Sequence, residues 1–135
     1  MIDMTSVHPV HNALSEHWFE AARRDVLLVQ KDPATGTVQM YPRARVVGFP
    51  EREPEWVEAS GRGTLYSYTV VHRSIHNEFA AMTPFVIALV DLEEGARITS
   101  WVVDTPVENI RCDMPLEVVF REIHPGVKMP CFIEA

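Results

Sequence analysis

The stretch PFVIALVDLEEGARITSWVVD, residues 84–104, decides the fold of this chain. Apolar runs rich in Val and Ile lie on both sides of LEEGAR at 92–97, where Gly95 and three charged residues favour a tight turn. Branched apolar side chains suit a pleated, half-buried surface. The stretch therefore predicts two antiparallel strands, 84–92 and 97–104, joined as a hairpin.

Three further runs of the same kind lie at 64–73, 116–122 and 127–133. The whole chain shows the same bias, with 18 Val and 7 Ile against 7 Leu. Five antiparallel strands within about 75 residues are too few for a β-sandwich and fit a small closed barrel of the OB kind. The longer connections at 74–83 and 105–115 are expected to cross the barrel or to carry function.

The N-terminal part of the chain follows a different pattern. Residues 1–11 show no periodicity and predict a tail. Leu14, Trp18 and Ala21 recur at helical spacing, and no Pro or Gly interrupts the segment. This pattern predicts a helix over 13–24.

A hairpin and a linker are expected after the helix. Two short apolar runs, 26–30 and 37–41, flank the turn residues PATG at 33–36. Residues 43–55 are rich in proline and charge, which suits neither a helix nor a central strand and predicts a loop. The predicted domains are an N-terminal tail, helix and ribbon segment at 1–60 and a barrel at 61–135.

Charge and cysteine content narrow the class of protein. The formal net charge of -7 repels polyanions, so no general nucleic-acid footprint is expected. Cys112 and Cys131 can form neither a four-thiolate zinc site nor a disulfide framework, which indicates an intracellular protein. The N-terminus lacks the features of a signal peptide, and no apolar run approaches the roughly 18 residues of a membrane span. A cytoplasmic location away from membranes is therefore expected.

Two pairs of basic or titratable residues at the ends of the first barrel strand are candidate ligand-binding residues. Arg62 and Arg73 could bind the phosphates of a CoA group if they faced one groove, and structural ion pairing is the alternative. His72 and His76 lie four residues apart and could bind a metal with Glu78 if the segment were helical. The segment has no helical pattern, so a loop lining a binding surface is preferred and no metal is assigned.

Tyr66 and Tyr68 are candidates for stacking on a base or an adenine ring, as on other OB surfaces. Period-two alternation puts both on one face of their strand. If that face points outward they form a platform, and if it points inward they fill the barrel. The need for bulky filling favours the core slightly.

No catalytic residue is assigned. A nucleophilic cysteine needs a base and an electropositive site. Cys131 lies in an apolar strand, where a buried thiol is inert, and the effect of Arg111 on Cys112 is opposed by Asp113. His8 and His11 are expected to be solvated in the tail.

Five blocks of the chain resemble a known family over nearly its whole length. They are HWFEAARRDVLLVQ at 17–30, VQMYPR at 38–43, WVEASGRGTLYSYTVVHR at 56–73, the hairpin block at 84–104, and MPLEVVFREI at 114–123. GRGTLYSYTVVHR is the most specific of them. The family comprises small acyl-CoA-associated proteins that join an N-terminal helix, a rubredoxin-like zinc ribbon and a C-terminal OB-fold, and it has long been catalogued as a domain of unknown function.

This sequence departs from the family at the zinc ribbon. The resemblance implies one cysteine pair before VQMYPR and a second pair after it, at positions that hold Asp32, Thr35, Val46 and Phe49 here. Val and Phe cannot bind zinc, and one Asp cannot hold it alone. We therefore expect no cofactor, a lost zinc site, and an apolar cluster of Val46, Val47, Phe49 and Trp56 in its place.

The resemblance implies an accessory or scaffolding protein in acyl-CoA and thioester metabolism, without a reaction of its own. Its expected partner is a thiolase-like, hydratase or aldolase subunit, with acyl-CoA itself as a further ligand. Trp18 and Phe19 are the expected partner interface, and the alternatives are packing on the chain's own hairpin and contact with a second copy of the chain. A single-stranded nucleic-acid binder is the alternative function.

Overall fold

A computed structural model describes residues 9–135, which form a helix, a small sheet and a closed barrel. The N-terminal unit, residues 9–60, holds α1 (Glu16–Arg23), β1 (Leu28–Lys31), β2 (Val38–Gln39) and β3 (Glu55–Glu58). The barrel holds β4 (Arg62–Val71), α2 (Asn77–Ala80), β5 (Phe85–Leu92), β6 (Arg97–Val102), a 3₁₀ turn (Val107–Asn109), β7 (Pro115–His124) and β8 (Val127–Glu134). The predicted class, a mainly β protein with a five-stranded barrel after an N-terminal helix, is confirmed. The predicted domain boundary falls between β3 and β4.

The barrel closes in the order β4-β5-β6-β8-β7, with β7 pairing back onto β4. Alternate residues of β5 are buried, among them Val86, Ala88 and Val90, and they face the interior. Leu65 and Phe132 reach the same interior from β4 and β8 and are fully buried. The hairpin predicted from residues 84–104 therefore forms two neighbouring strands of the barrel wall, β5 and β6.

One strand pair of the barrel departs from the expectation of five antiparallel strands. Strands β6 and β8 run parallel where Val102 lies beside Phe132. Residues 103–114 carry the chain from β6 to β7, and the β7–β8 hairpin then brings β8 alongside β6 in the same direction. Apolar alternation fixes the buried face of a strand but leaves the direction of its neighbour open. The prediction was wrong at this pair for that reason.

Helix α1 lies within the predicted range 13–24 and is shorter at both ends. Asn12 and Ser15 hydrogen-bond each other's backbone N–H through their side chains, at 2.9 and 3.1 Å, and form a turn before the helix. At the other end Asp25 has a φ of 60°, and the N–H groups of Asp25 and Val26 donate to the carbonyls of Ala22 and Ala21. These two bonds form a Schellman motif, which ends the helix.

The ribbon is the three-stranded sheet of β2, β1 and β3. The predicted hairpin of β1 and β2 is confirmed by the pairing of Gln30 with Gln39. Strand β3 was missed, because residues 43–55 were predicted as a loop and no strand was assigned to the four residues that pair with β1. The strand is short and starts directly after Pro54, so its alternation carries little signal.

The described residues contain no helix long and apolar enough to cross a membrane.

Gly61, just before β4, is required by both backbone and packing. Its φ is +83°, and a Cβ added there would collide with Cγ1 of Val118 on β7. Gly126, in the β7–β8 turn, has a similar φ of +79° and open space around the added Cβ. Substitutions at Gly61 and Gly126 therefore separate the cost of the left-handed backbone from the cost of the collision with Val118.

We expect Gly126→Ala to lower the free energy of unfolding by about 1 kcal/mol, the cost of a left-handed backbone for alanine. Gly61→Ala should lower it by roughly 1–3 kcal/mol more, because the new methyl group overpacks Val118. Urea unfolding of both variants measures the difference. Equal losses of stability would contradict the packing of β4 against β7.

Candidate functional site

A β-bulge separates the two tyrosines of β4. The pairing with β5 shifts between Leu65 and Ser67, so Tyr66 lies in the bulge. Tyr68 pairs with the inward-facing Ala88, and its hydroxyl reaches the Ile110 carbonyl at 3.4 Å. The two side chains therefore do not share a face, and the expectation from simple alternation was wrong.

Tyr66 lies on the outer surface and is 51% exposed. The Arg97 guanidinium stacks on its ring at 3.5 Å and is held by Asp91 at 2.6 Å. The hydrogen bond that Arg97 donates to the Asp91 carboxylate raises the pKa of Arg97 above its ordinary value. The expectation that Tyr66 fills the barrel was wrong, and its outer ring face is covered by a cation already paired with an acid. Base stacking at Tyr66 remains untested.

Arg62 and Arg73 lie at opposite ends of β4 and cannot meet at one phosphate group. The strand has ten residues, so it is about 30 Å long. Arg62 forms an exposed ion pair with Glu93 at 3.1 Å. Arg73 is exposed just beyond the strand.

His72 and His76 are exposed in the connection after β4. Contrary to expectation, this connection contains a short helix, α2, and the Nδ1 of His76 accepts a hydrogen bond from the N–H of Glu78. His76 also packs its ring against Phe79 at 5.3 Å. Within the described residues no three His, Cys, Asp or Glu side chains form a group that could hold a metal ion.

His8 lies outside the described residues. His11, in contrast, is ordered against α1, where it stacks on Phe19 at 4.0 Å and hydrogen-bonds Glu16 at 3.0 Å. The expectation of a solvated His11 was wrong because the segment before the helix packs back onto it.

Trp18 and Phe19 are buried within the chain, with exposed fractions of 7% and 9%. The indole N–H of Trp18 donates to the Leu28 carbonyl at 3.1 Å and fixes α1 against β1. The prediction of a partner interface at these two residues requires that their rings are exposed. The structure does not meet that requirement, because both rings are buried. Trp18 packs on the chain's own hairpin, which was the alternative prediction.

Asp32 is the centre of a polar contact at the position of the first expected cysteine pair. Its carboxylate is 1% exposed and accepts hydrogen bonds from the N–H of Ala34 and the hydroxyl of Thr35, both at 2.9 Å. Arg52 donates to the same carboxylate at 2.8 Å. Burial would raise the pKa of Asp32, but the bonds from Ala34, Arg52 and Thr35 outweigh burial and hold the pKa below its ordinary value.

Arg52 also contacts the second expected cysteine pair. Its guanidinium lies 3.7 Å from the centre of the Phe49 ring, and the backbone N–H of Arg52 donates to the Phe49 carbonyl. Val46 is buried and is bonded through its own N–H to the Arg52 carbonyl. One guanidinium therefore joins the two halves of the ribbon.

The expected apolar cluster of Val46, Val47, Phe49 and Trp56 does not form as such. Val46 is buried, but Val47 and Phe49 are 59% and 43% exposed. The segment is held instead by the Gln30 side chain, which donates to the Arg43 carbonyl and accepts from the Arg43 N–H. A buried amide with three hydrogen bonds stands in place of the packing that the sequence predicts.

The residues at these four positions do not fit a zinc ion. Val46 and Phe49 carry no donor atoms, and both oxygens of Asp32 already accept hydrogen bonds from the protein. A tetrahedral site needs four nitrogen, sulfur or oxygen ligands. The absence of bound zinc remains a prediction.

An apolar groove of about 680 Å³ lies between the N-terminal unit and the outer face of the barrel. Its walls include Trp18 and Phe19 of α1, Tyr41 after β2, Ile87 of β5, Trp101 of β6 and Met129 of β8. Ile87 and Trp101 are cross-strand partners, so both point outward from the same face of the sheet. The Tyr41 hydroxyl accepts the N–H of Thr99 at 2.9 Å and ties the ribbon to the groove.

The groove has no Asp, Glu, Lys, Arg or His among the described residues that line it. Its one thiol, Cys131, is buried, and burial raises the pKa of that thiol to about 11. At neutral pH the thiolate fraction is then about one in ten thousand, which makes Cys131 an inert lining residue. The groove can therefore hold apolar groups but offers no acid, base or nucleophile.

Sequence reasoning missed both Arg52 and the groove. The groove left a signal in β5, where residues 85–90 are apolar at every position rather than at alternate ones. A strand that is apolar on both faces is covered on both faces. No comparable signal marks Arg52, because its contacts come from residues 20 positions away and from a loop.

The chain is similar to proteins that are named as scaffold proteins or as parts of enzymes. Residues 56–121 match the family described as "ChsH2, C-terminal OB-fold domain". A "DUF35 domain-containing scaffold protein" of Methanocaldococcus jannaschii is 36% identical over 108 residues, which are 78% of this chain and 75% of that protein. A solved structure described as "Ltp2-ChsH2(DUF35) aldolase" contains a chain with a TM-score of 0.82 and 32% identity, and the match covers 94% of this chain and 98% of that one.

A longer relative carries the same region as one part. The "Probable enoyl-CoA hydratase alpha subunit" of Thermomonospora curvata is 33% identical over 124 residues. The match covers 92% of this chain and only 38% of that subunit.

Replacing Asp32 by Asn tests the ion pair through pH. Because the pKa of Asp32 is lowered by folding, its contribution to stability is full above the ordinary carboxyl pKa of 3.8 and is lost as the pH falls through the lower pKa of the folded protein. Asp32→Asn should therefore lower the urea midpoint at pH 7, and the gap to the wild type should narrow in acid. Glu53→Gln, which removes an exposed ion pair in the same segment, is the control and should show little gap. A gap independent of pH would contradict the role of the charge.

Elemental analysis tests the zinc prediction. Protein purified without added metal should contain close to no zinc per chain, because two of the four expected ligand positions hold hydrocarbon side chains. One zinc per chain would overturn the alignment and make the histidines candidate ligands again.

Proposed function

This chain belongs to the DUF35 family, and from that premise we propose that it is a non-catalytic scaffold subunit that partners an enzyme of acyl-CoA metabolism. The observation that carries the proposal is the match over 94% of this chain and 98% of the DUF35 chain in the aldolase structure, because it covers the helix, the ribbon and the barrel together. A second relative is named as a hydratase subunit. A thiolase-like, hydratase or aldolase subunit is thus the proposed partner.

The chemistry of the described residues supports the proposal that this chain has no reaction of its own. The buried thiol of Cys131 is held in its protonated form, and the titratable residues considered above lie apart or are engaged in ion pairs. A catalytic site needs a nucleophile, a base and a stabilising group within reach of one reacting atom. The described side chains bring no such set together.

The ribbon offers a surface for the proposed partner. Tyr41, Val47 and Phe49 are large apolar side chains with 48%, 59% and 43% of their surface exposed, and they lie within nine residues of one another. The N–H of Val47 donates to the side chain of Gln39 at 2.9 Å, so the backbone of this segment is fixed. Exposed apolar side chains on a fixed backbone are typical of an interface. We propose that the partner subunit binds this surface of Tyr41, Val47 and Phe49. The surface takes the place of Trp18 and Phe19 as the proposed interface.

Co-purification with a tagged thiolase-like, hydratase or aldolase subunit of the same organism tests the proposal. Val47→Asp should reduce co-purification at least tenfold, because an unpaired carboxylate would be buried at the interface, and it should leave the thermal midpoint of the free chain unchanged. Val107→Asp makes the same chemical change at a 37% exposed position of the barrel and is the matched control.

Three results would contradict the proposal. If Val107→Asp abolished binding and Val47→Asp did not, the interface would lie on the barrel. Thioester turnover by the purified chain alone would make it an enzyme. Submicromolar binding of a single-stranded oligonucleotide with a steep salt dependence would favour the nucleic-acid alternative.

A further inference from the structure

We propose that the free edge of β4, residues 66–71, binds the same edge of a second copy of this chain in antiparallel register. The inference goes beyond the proposed function and does not depend on it, since no enzyme subunit takes part in the contact. Three features carry it: the direction of the backbone groups of β4, the composition of the edge, and two charged residues without an ion-pair partner in the described part of the chain.

Strand β4 has a neighbour on both sides only at its start. Its pairing with β5 runs over residues 63–71, whereas its pairing with β7 covers residues 62–64 alone. The turn before β7 adds the bonds of Leu65. Beyond that point β4 has β5 on one side and no strand of residues 9–135 on its other side. Residues 66–71 therefore form a free edge in the barrel wall.

The hydrogen bonds of Leu65 show which backbone groups point out of this edge. Leu65 points its N–H and C=O away from β5, because they bond Met114 and Asp113 at 3.0 and 2.7 Å. Successive residues of a strand point these groups to alternate sides, and the bulge shifts the alternation by one residue. The N–H and C=O of Tyr68 and Val70 therefore point out of the edge. No residue that the structure describes bonds to these four groups.

The composition of the edge leaves it open to pairing. Its sequence is YSYTVV, in which every residue except the serine is aromatic or β-branched and suits a strand. It contains no proline and no charged residue, which are the residues that protect strand edges from pairing with other chains. Residues 66–69 are exposed at every position rather than at alternate ones. Solvent thus reaches both faces of the strand here.

The edge is complementary to itself. When two copies of β4 lie antiparallel with Tyr68 of one opposite Val70 of the other, these two residues exchange both of their backbone hydrogen bonds. Two-fold symmetry repeats the pair, so all four free groups of each copy are bonded. Thr69 then lies on the axis, opposite Thr69 of the second copy. Threonine pairs are favourable between neighbouring strands.

Two charged residues at the ends of the edge favour a second copy over an unrelated peptide. Arg73 is exposed just beyond β4, and Asp113 is exposed in the turn that leads into β7. Neither forms an ion pair with a described residue. In the symmetric register Arg73 of the second copy follows the residue opposite Tyr66 and reaches the turn that holds Asp113. The symmetry provides this contact of opposite charges twice.

Sedimentation velocity of the full chain, from low micromolar to near-millimolar concentration, tests the proposal. The contact rests on one short strand, so we expect a reversible dimer whose fraction rises over this range. Thr69→Lys places two ammonium groups opposite each other on the axis and should raise the dissociation constant about fivefold or more. Thr64→Lys makes the same change on the same strand, at a position paired with both β5 and β7, and is the matched control. The control should associate as the wild type does.

Charge reversal tests the ends of the contact. Arg73→Asp and Asp113→Lys each bring like charges together and should each weaken association about fivefold. The double variant restores opposite charges and should associate within about twofold of the wild type. Asp113 has a φ of 67°, so lysine there lowers the thermal midpoint of the free chain, and association is compared well below that midpoint. High salt should weaken association of the wild type.

Amide hydrogen exchange measured by NMR locates the contact without a variant. In the free chain the N–H groups of Tyr68 and Val70 are unbonded and should exchange fast. Those of Ser67 and Thr69 point to β5 and should exchange slowly. Raising the protein concentration should slow exchange at the first two positions and leave the other two nearly unchanged. Such alternation along one strand is specific to an added strand.

A chain that stays monomeric over the whole range, or equal weakening by Thr69→Lys and Thr64→Lys, would overturn the inference. A double charge reversal that associates no better than either single variant would also overturn it. If the edge amides become protected only when an enzyme subunit is added, the edge binds a segment of that subunit and the inference is wrong. Loss of co-purification with an intact dimer would sink only the proposed function, and intact co-purification with a monomeric chain would sink only this inference.

Discussion

Closure of the barrel is the constraint on which the other parts of the structure depend. Five strands close only when β8 lies parallel to β6, and the interior is then filled by Leu65, Val90 and Phe132. The alternate residues of β5, β6 and β8 must point outward, and many of them are apolar. A second layer is therefore needed outside the barrel. Helix α1 and the ribbon supply that layer, and the groove is the space they leave uncovered.

Hydrogen bonds between side chains and backbone hold the ribbon together. Gln30 and Gln39 pair across β1 and β2, and their side chains hydrogen-bond the backbone of residues 43–47. Asp32 and Arg52 join the remaining ends. Each of these side chains is hydrogen-bonded within the protein, and the buried Nε of Arg52 is left without a hydrogen-bond partner among the described residues. The network links residues that are 6 to 20 positions apart in the sequence.

The sequence predicts the elements of this fold better than their contacts. The five barrel strands, helix α1 and the β1–β2 hairpin each follow from local periodicity and turn residues, which act over a few positions. The bulge at Tyr66, the parallel pair at Val102 and the Asp32–Arg52 ion pair depend on the partner strand or on a distant loop. Local patterns carry no information about such partners. The expected exposure of Trp18 was wrong for the same reason, because exposure is a property of the assembled chain.

The Asp32–Arg52 pair affects which reagents can break the contacts that hold the ribbon together. A ribbon of four thiolates comes apart when an oxidant attacks its sulfur atoms or a chelator removes its metal. Asp32, Thr35, Val46 and Phe49 present no sulfur to either reagent. The contacts made by these four residues therefore offer neither reagent a sulfur atom to attack.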